Sequence, residues 1–330
     1  MTPDSSPAPS SRRTFLAHVA GTAAALVVTP SVFGAATATP PAKKTGQKSP
    51  IAPTPARPAS AFPICGLEKH FFEKYTPAQT AQAYADIGID IELTVRPDGH
   101  IKPENAASEL PAMAAAFAQH QRRILMLGTS FIRPDEPHIE STLRAARQLG
   151  IPYYRHRGFQ YRPGTPIKEQ IASFRSMARE FAAISKSIGI QALYQNHAGA
   201  NYVGAAIWDL DQVLDDIDPR HFGVALDVRH LLVEQGRAWP TAIRLIAPRV
   251  GSLFVKSFRW DRDRTVEVPL REGIVTPEMA NAVVGDRPAL PICVHVEHTK
   301  LQPVPYAERA GIVGLFRDDV AVLRGWLGLV

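Results

Sequence analysis

Eight short apolar runs separated by longer amphipathic segments leave this chain few folds to choose from. The runs are FPICGL (62–67), IDIELTV (89–95), RILMLGT (123–129), IPYYRH (151–156), IQALYQ (190–195), HFGVALD (221–227), GSLFVKS (251–257) and PICVHVE (291–297). Helical spacing fills intervals such as Pro77–Ile87, Glu104–His120, Pro137–Leu149, Lys168–Ile188 and Ala205–Ile217, and a last helix is expected from about Tyr306 to Leu327. Strands that alternate with helices predict βα units around a parallel sheet. About 270 residues carry the pattern, the usual size of one closed (β/α)8 barrel. No Gly-x-Gly-x-x-Gly follows the first run, which argues against a dinucleotide-binding doubly wound sheet. The expected fold class is α/β, with a single (β/α)8 TIM barrel over residues 62–330.

The sixty-one residues before it read differently. Ser11-Arg12-Arg13-Thr14-Phe15-Leu16 opens with a twin arginine, a mildly apolar stretch runs from Leu16 to Val28, and Ala36-Thr37-Ala38 is a small-residue cleavage signal. Residues 1–38 are therefore expected to be a twin-arginine signal peptide that delivers the chain to the periplasm, with no stable membrane insertion after cleavage; an uncleaved N-terminal anchor is the alternative. Residues 39–61 are rich in Pro, Ala, Lys and Thr, with a single Ile and no aromatic ring, too little apolar surface to offset the entropy of ordering, so they are expected to be a disordered linker. This division settles the charge. The whole chain is +6, but six of its 37 basic residues and one of its 31 acidic residues lie in 1–61, which leaves 31 against 30 in the barrel. Such a balance gives no support to a nucleic-acid partner. The two cysteines, Cys65 and Cys293, are expected to be buried free thiols.

Strand parity says which residues face inward. In the second run Asp90, Glu92, Thr94 and Arg96 share one face and Ile89, Ile91, Leu93 and Val95 the other. In a barrel the apolar face meets the helices, and polar residues near the C-terminal strand ends line the site. The rim thereby collects Lys69 after the first strand, Glu92 and Arg96 with His100 after the second, and Arg155 and His156 on the fourth. The fifth adds Gln195, Asn196 and His197, the sixth Asp227 with His230, the seventh Lys256, and the eighth His295 and Glu297. Each taken singly also fits a structural role. Charges from seven strands converging on one rim do not, because burying a charge costs several kcal/mol unless it is paired or ligated.

GIDIELTVRPDGHI (88–101), YQNHAG (194–199), FGVALDVRH (222–230), LFVKS (253–257) and CVHVEH (293–298) make the chain, over about residues 62–328, resemble the xylose-isomerase-like (β/α)8 proteins of the sugar phosphate isomerase/epimerase family. The resemblance implies one divalent metal (Mn, Mg or Zn) at the barrel mouth. Its ligands would be a Glu ending strand five, an Asp ending strand six, a His on strand seven and a Glu ending strand eight, the two glutamates acting as acid and base beside a carbonyl. On this sequence the Asp is Asp227, with His230 as its Asp-x-x-His partner, and the last Glu is Glu297. The strand-five Glu falls on Gln195 and the strand-seven His on Phe254, with Lys256 retained. An amide still offers a carbonyl oxygen to a cation but has no useful basicity.

Two readings follow. In the first the protein is an exported sugar isomerase or epimerase, or a keto-sugar lyase, that abstracts a proton next to a carbonyl. Glu297, His197 and Lys256 are then catalytic, Gln195, Asp227 and Glu297 the remaining metal ligands, and Lys69, Glu92, Arg96, His100, Arg155, Asn196, His230 and His295 bind substrate. In the second it is a sugar-binding barrel without catalysis, with Tyr153, Tyr154 or Trp260 stacking on a sugar face. A small-molecule sugar is the partner in both.

Overall fold

In the computed structural model, residues 62–329 are described, so the expected signal peptide (1–38) and linker (39–61) lie outside them. Eight parallel strands close a barrel: β1 (Ile64–Leu67), β2 (Asp90–Val95), β3 (Ile124–Thr129), β4 (Tyr153–His156), β5 (Gln191–Gln195), β6 (Phe222–Asp227), β7 (Val250–Val255) and β10 (Ile292–Val294), with β10 pairing both β7 and β1. Between β7 and β10 an antiparallel hairpin, β8 (Ser257–Asp261) and β9 (Arg264–Val268), stands apart from the barrel. The helices are α1 (Pro77–Ile87), α2 (Ala106–Gln119), α3 (Ile139–Gln148), α4 (Ile167–Ile188), α5 (Trp208–Leu214), α6 (Val228–Gln235), α7 (Trp239–Ile246), α8 (Pro277–Val284) and α9 (Ala310–Trp326).

Local chemistry sets the boundaries. Thr76 caps α1 in a reciprocal capping box with Gln79, and Pro77 sits in the first turn, where its missing N–H costs nothing. Gly88 ends the helix at φ +87°, a left-handed conformation that glycine adopts without strain. The hairpin escaped the sequence reading because its turn has no glycine. Arg262 takes the positive φ (+58°) that Asn-Gly or Asp-Gly usually supplies.

Two apolar layers hold the barrel. The larger lies between strands and helices and contains Tyr84, Phe117, Phe181, Phe222 and Phe316. The smaller fills the barrel interior with Cys65, Leu67, Leu125, Met126, Leu193, Ala225, Phe254 and Cys293. Cys65 and Cys293 are free, buried and opposite each other on β1 and β10, as expected. Among the described residues no helix is long and apolar enough to cross a membrane.

His156 corrects the expectation for the end of β4. Its neighbour Arg155 faces the barrel interior, and the two-residue period sends His156 outward into a nest of Phe159, Phe181, Tyr194 and Phe222. There Nδ1 accepts the Gly158 N–H at 2.9 Å, and burial lowers the imidazole pKa to about 3. The unfolded chain, with an ordinary value near 6.5, binds the proton first, so stability falls as pH drops from about 6.5 toward 3, by up to about 4 kcal/mol for a fully buried group. Urea midpoints measured across that range should show a smaller pH slope in His156→Phe than in the wild type.

Candidate functional site

A chain of charges crosses the C-terminal mouth of the barrel. It starts at Glu92, fully buried on β2, whose Oε1 accepts Arg155 Nε at 2.5 Å. Burial pushes the Glu92 pKa up, but the guanidinium and His295 pull it down further, to about 2. Gly128 on the intervening strand makes room: a Cβ there would stand 3.0 Å from Glu92 Oε1 and 3.1 Å from Arg155 Nη2. Arg155 Nη1 donates to Gln195 Oε1 at 3.0 Å, and Gln195 Nε2 donates to Asp227 Oδ2 at 2.9 Å.

Asp227 ends β6 and caps α6, its Oδ1 accepting the N–H groups of Arg229 and His230 at 3.1 Å each. Lys256 Nζ lies 3.5 Å from Asp227 Oδ2 and 3.1 Å from Glu297 Oε2. Lys69 Nζ reaches Glu297 Oε1 at 2.7 Å from a backbone held at φ +47°, an unusual conformation for a lysine. His295 closes the group, 3.5 Å from Glu92 and 3.7 Å from Glu297. Burial opposes ionisation of Asp227 and Glu297, yet the surrounding cations hold both carboxyls far below the usual range. Burial likewise works against the Lys256 ammonium, and its two carboxylates more than compensate, so it stays charged.

Above Arg155 and Gln195 opens a cavity of about 230 Å³, lined also by Arg96, Asp98, Thr129, Ser130, Arg157, His197 and Tyr202. His197 packs at a tilt against Tyr202 and His230, with ring centroids 4.4 and 3.9 Å away. Its Nδ1 lies 2.8 Å from the Ala198 carbonyl oxygen, which can only accept, so Nδ1 carries the proton and the Nε2 lone pair is left without a partner among the described residues. Burial lowers its pKa, which keeps the ring neutral at pH 7.

The structure thus brings together Lys69, Glu92, Arg155, Gln195, Asp227, Lys256, His295 and Glu297, with His197 and His230 alongside. Others fall elsewhere. His100 pairs with buried Glu68 at 3.1 Å and lines a separate cavity with Glu73, Tyr75 and Met113. Arg96 reaches the mouth but is already paired with Glu73 and Asp98. Asn196 spends its amide on the backbone of Asp227, accepting its N–H at 2.7 Å and donating to its carbonyl at 3.1 Å, so it clasps β5 to β6. Asn196→Ala is expected to cost about 2–4 kcal/mol in denaturant unfolding, since two buried backbone groups lose their partners. Tyr154 is buried against Ser185 in the helix layer, Tyr153 packs in the barrel interior, and only Trp260, on β8, is exposed. The sequence reading missed Gly128, Arg157 and Tyr202; a glycine next to the strand end opposite Glu92 was the one visible signal.

The metal quartet implied by the family resemblance does not assemble. Phe254 is an apolar ring packed 4.8 Å from His295. At Gln195 the orientation is fixed: arginine only donates, so the amide oxygen faces Arg155, and the amide N–H faces Asp227 where a cation would require an acceptor. Without the imidazoles, three carboxylates (Glu92, Asp227, Glu297) meet three cations (Arg155, Lys256, Lys69), and the charge is balanced as it stands. A different set, in which buried Cys293 joins Glu92 and His295 of the same group, offers ligand atoms within 4.8 Å of one another. There Cys293 Sγ donates to Glu92 at 3.1 Å.

Several solved structures share this fold. D-psicose 3-epimerase, solved in the presence of D-fructose, is 15% identical with a TM-score of 0.58 over 81% of this chain and 100% of that one. The IOLI protein with a bound zinc atom is 14% identical, TM-score 0.62, over 80% and 99%. A xylose isomerase-like TIM barrel protein from Mycobacterium smegmatis in complex with magnesium is 15% identical, TM-score 0.54, over 80% and 99%. At these identities the likeness is one of fold. No curated protein sequence matches the chain. The sequence model of the xylose isomerase-like TIM barrel matches residues 81–310, some two thirds of the length, and the chain belongs to that family.

Proposed function

We propose that this protein is a sugar isomerase or epimerase of the xylose isomerase-like family that removes the proton next to a carbonyl of a sugar or keto-sugar, with His197 as the base. The observation that carries the reading is the placement of a neutral imidazole, its Nε2 lone pair unused, in the same small cavity as the Arg155 guanidinium. The C–H bond breaks toward His197 Nε2, and its electron pair moves onto the carbonyl oxygen. Arg155 Nη2, which has no partner among the described residues, stabilises that oxyanion. His197 returns the proton to the neighbouring carbon, giving isomerisation, or to a substituent that leaves from the next carbon, giving elimination; epimerisation takes its new proton on the opposite face of the same carbon, from the Lys256 ammonium. Glu297, held between two ammonium groups, is a weak base in this reading and positions Lys69 and Lys256. No step is assigned to Mn, Mg or Zn.

Export completes the proposal. The twin arginine and the small-residue cleavage signal support a periplasmic enzyme, so a non-phosphorylated sugar is the better substrate. N-terminal sequencing of the protein from a periplasmic fraction should find it cleaved after Ala38. The departures at Gln195 and Phe254 favour one other reading, a sugar-binding barrel without catalysis. Incubation with a panel of ketoses and keto-glycosides in deuterated water separates the two. Deuterium at the carbon next to the carbonyl supports the enzyme; binding with no exchange across the panel supports the binding module.

A further inference from the structure

The mouth of this barrel holds a buried ammonium between the two carboxylates that the family resemblance would give to a metal. Lys256 is 5% exposed, Asp227 is fully buried, and the Lys256 nitrogen lies 3.5 Å from one carboxylate and 3.1 Å from the other. An ammonium in that place is a cation supplied by the chain itself. We propose that the departures at Gln195 and Phe254 leave Lys256, backed by Lys69 on the far oxygen of Glu297, as the cation held by Asp227 and Glu297, so that the protein holds no resident metal at the barrel mouth and needs none. The proposal rests on the reading of the site as catalytic only for its functional consequence; the occupancy claim stands without it.

Three further observations support it. Phe254 and Gln195 remove a ligand from strand seven and turn an N–H toward Asp227, so a cation arriving there would meet a ring and a donor. The carboxylates are neutralised one for one by Arg155, Lys256 and Lys69, and a divalent ion added to them would leave uncompensated positive charge in a buried setting. Gln195 also passes a hydrogen bond from Arg155 to Asp227 without adding charge, a link that a carboxylate, which only accepts, could not make. An acid at that position would unbalance the group unless a metal came with it.

The test is metal uptake, which does not depend on finding the substrate. Wild-type protein is stripped with a chelator, dialysed against Mn²⁺ or Zn²⁺ and then against buffer, and its metal content is measured beside Lys256→Ala, Lys256→Met and the triple variant K256A/Q195E/F254H. Circular dichroism confirms that each variant is folded, and Lys256→Met keeps the apolar stem where Lys256→Ala fails to fold. The wild type should stay at background. The triple variant, with four ligand types restored and the internal cation removed, should take up about one ion per chain. Uptake should return to background when Asp227→Asn is added. Stoichiometric metal in the wild type that is lost in Asp227→Asn overturns the proposal, and so does wild-type metal lost in Cys293→Ser, which would place the ion at Glu92, Cys293 and His295. A folded triple variant that takes up no more than the wild type also overturns it, because Lys256, Gln195 and Phe254 would then not be what excludes the ion.

Discussion

His197→Gln should lower turnover by about 10²–10⁴-fold, the usual contribution of one positioned base, and leave the thermal midpoint nearly unchanged. The size follows from the geometry. The ring is held by three neighbours: its Nδ1 proton is committed to the Ala198 carbonyl, and the Tyr202 and His230 rings pack against it at a tilt. That leaves one nitrogen free, and it belongs to the cavity that holds Arg155. Glutamine keeps a hydrogen-bonding group near Ala198 but has no lone pair of comparable basicity. The loss should fall on kcat more than on KM, because the proton moves only in the transition state. A comparable loss in KM at unchanged kcat would make His197 a binding residue and move the base elsewhere.

Arg155→Met should be the most destabilising single change at the mouth, by about 3–5 kcal/mol, because it strands a fully buried carboxylate. Arg155 neutralises Glu92 through Nε and orients Gln195 through Nη1, so its removal also frees the link to Asp227. The double variant R155M/E92M removes both charges and should recover most of that loss in urea unfolding, because two apolar side chains of similar length do not carry the desolvation cost of an ion pair. Activity should not recover, since the cavity then lacks its guanidinium. If the double variant is no more stable than Arg155→Met, the cost lies in packing and not in the unpaired charge.

Much of this was legible in the chain. Period two on IDIELTV turned Glu92 inward, and the barrel followed from eight runs with helices between them; α1 was read to the residue, because Thr76, Pro77 and Gly88 are strong local signals. Gln195 and Phe254 were visible as departures from the family pattern. What the sequence could not show is pairing over distance. Lys69 and Glu297 are 228 residues apart and meet only because β10 closes the barrel against β1. Asn196 resembles a ligand-binding amide until its two hydrogen bonds to Asp227 are seen, and His156 resembles a rim histidine until the strand's alternation is fixed by its neighbours. The hairpin after β7, and the short helices α6 to α8, were missed for a local reason: an Arg-Asp turn and helices of eight residues carry little periodicity.

Proton abstraction at His197 without a divalent ion is the centre of this account, and deuterium exchange tests it most directly. Chelator-treated wild type, metal-depleted by assay, is incubated in deuterated water with a keto-sugar that it binds, beside His197→Gln under the same conditions. The treated wild type should incorporate deuterium next to the carbonyl at the rate of untreated protein, and His197→Gln at least about a hundredfold more slowly. Exchange that vanishes on chelation and returns with added metal, or that persists at the full rate in His197→Gln, would contradict it.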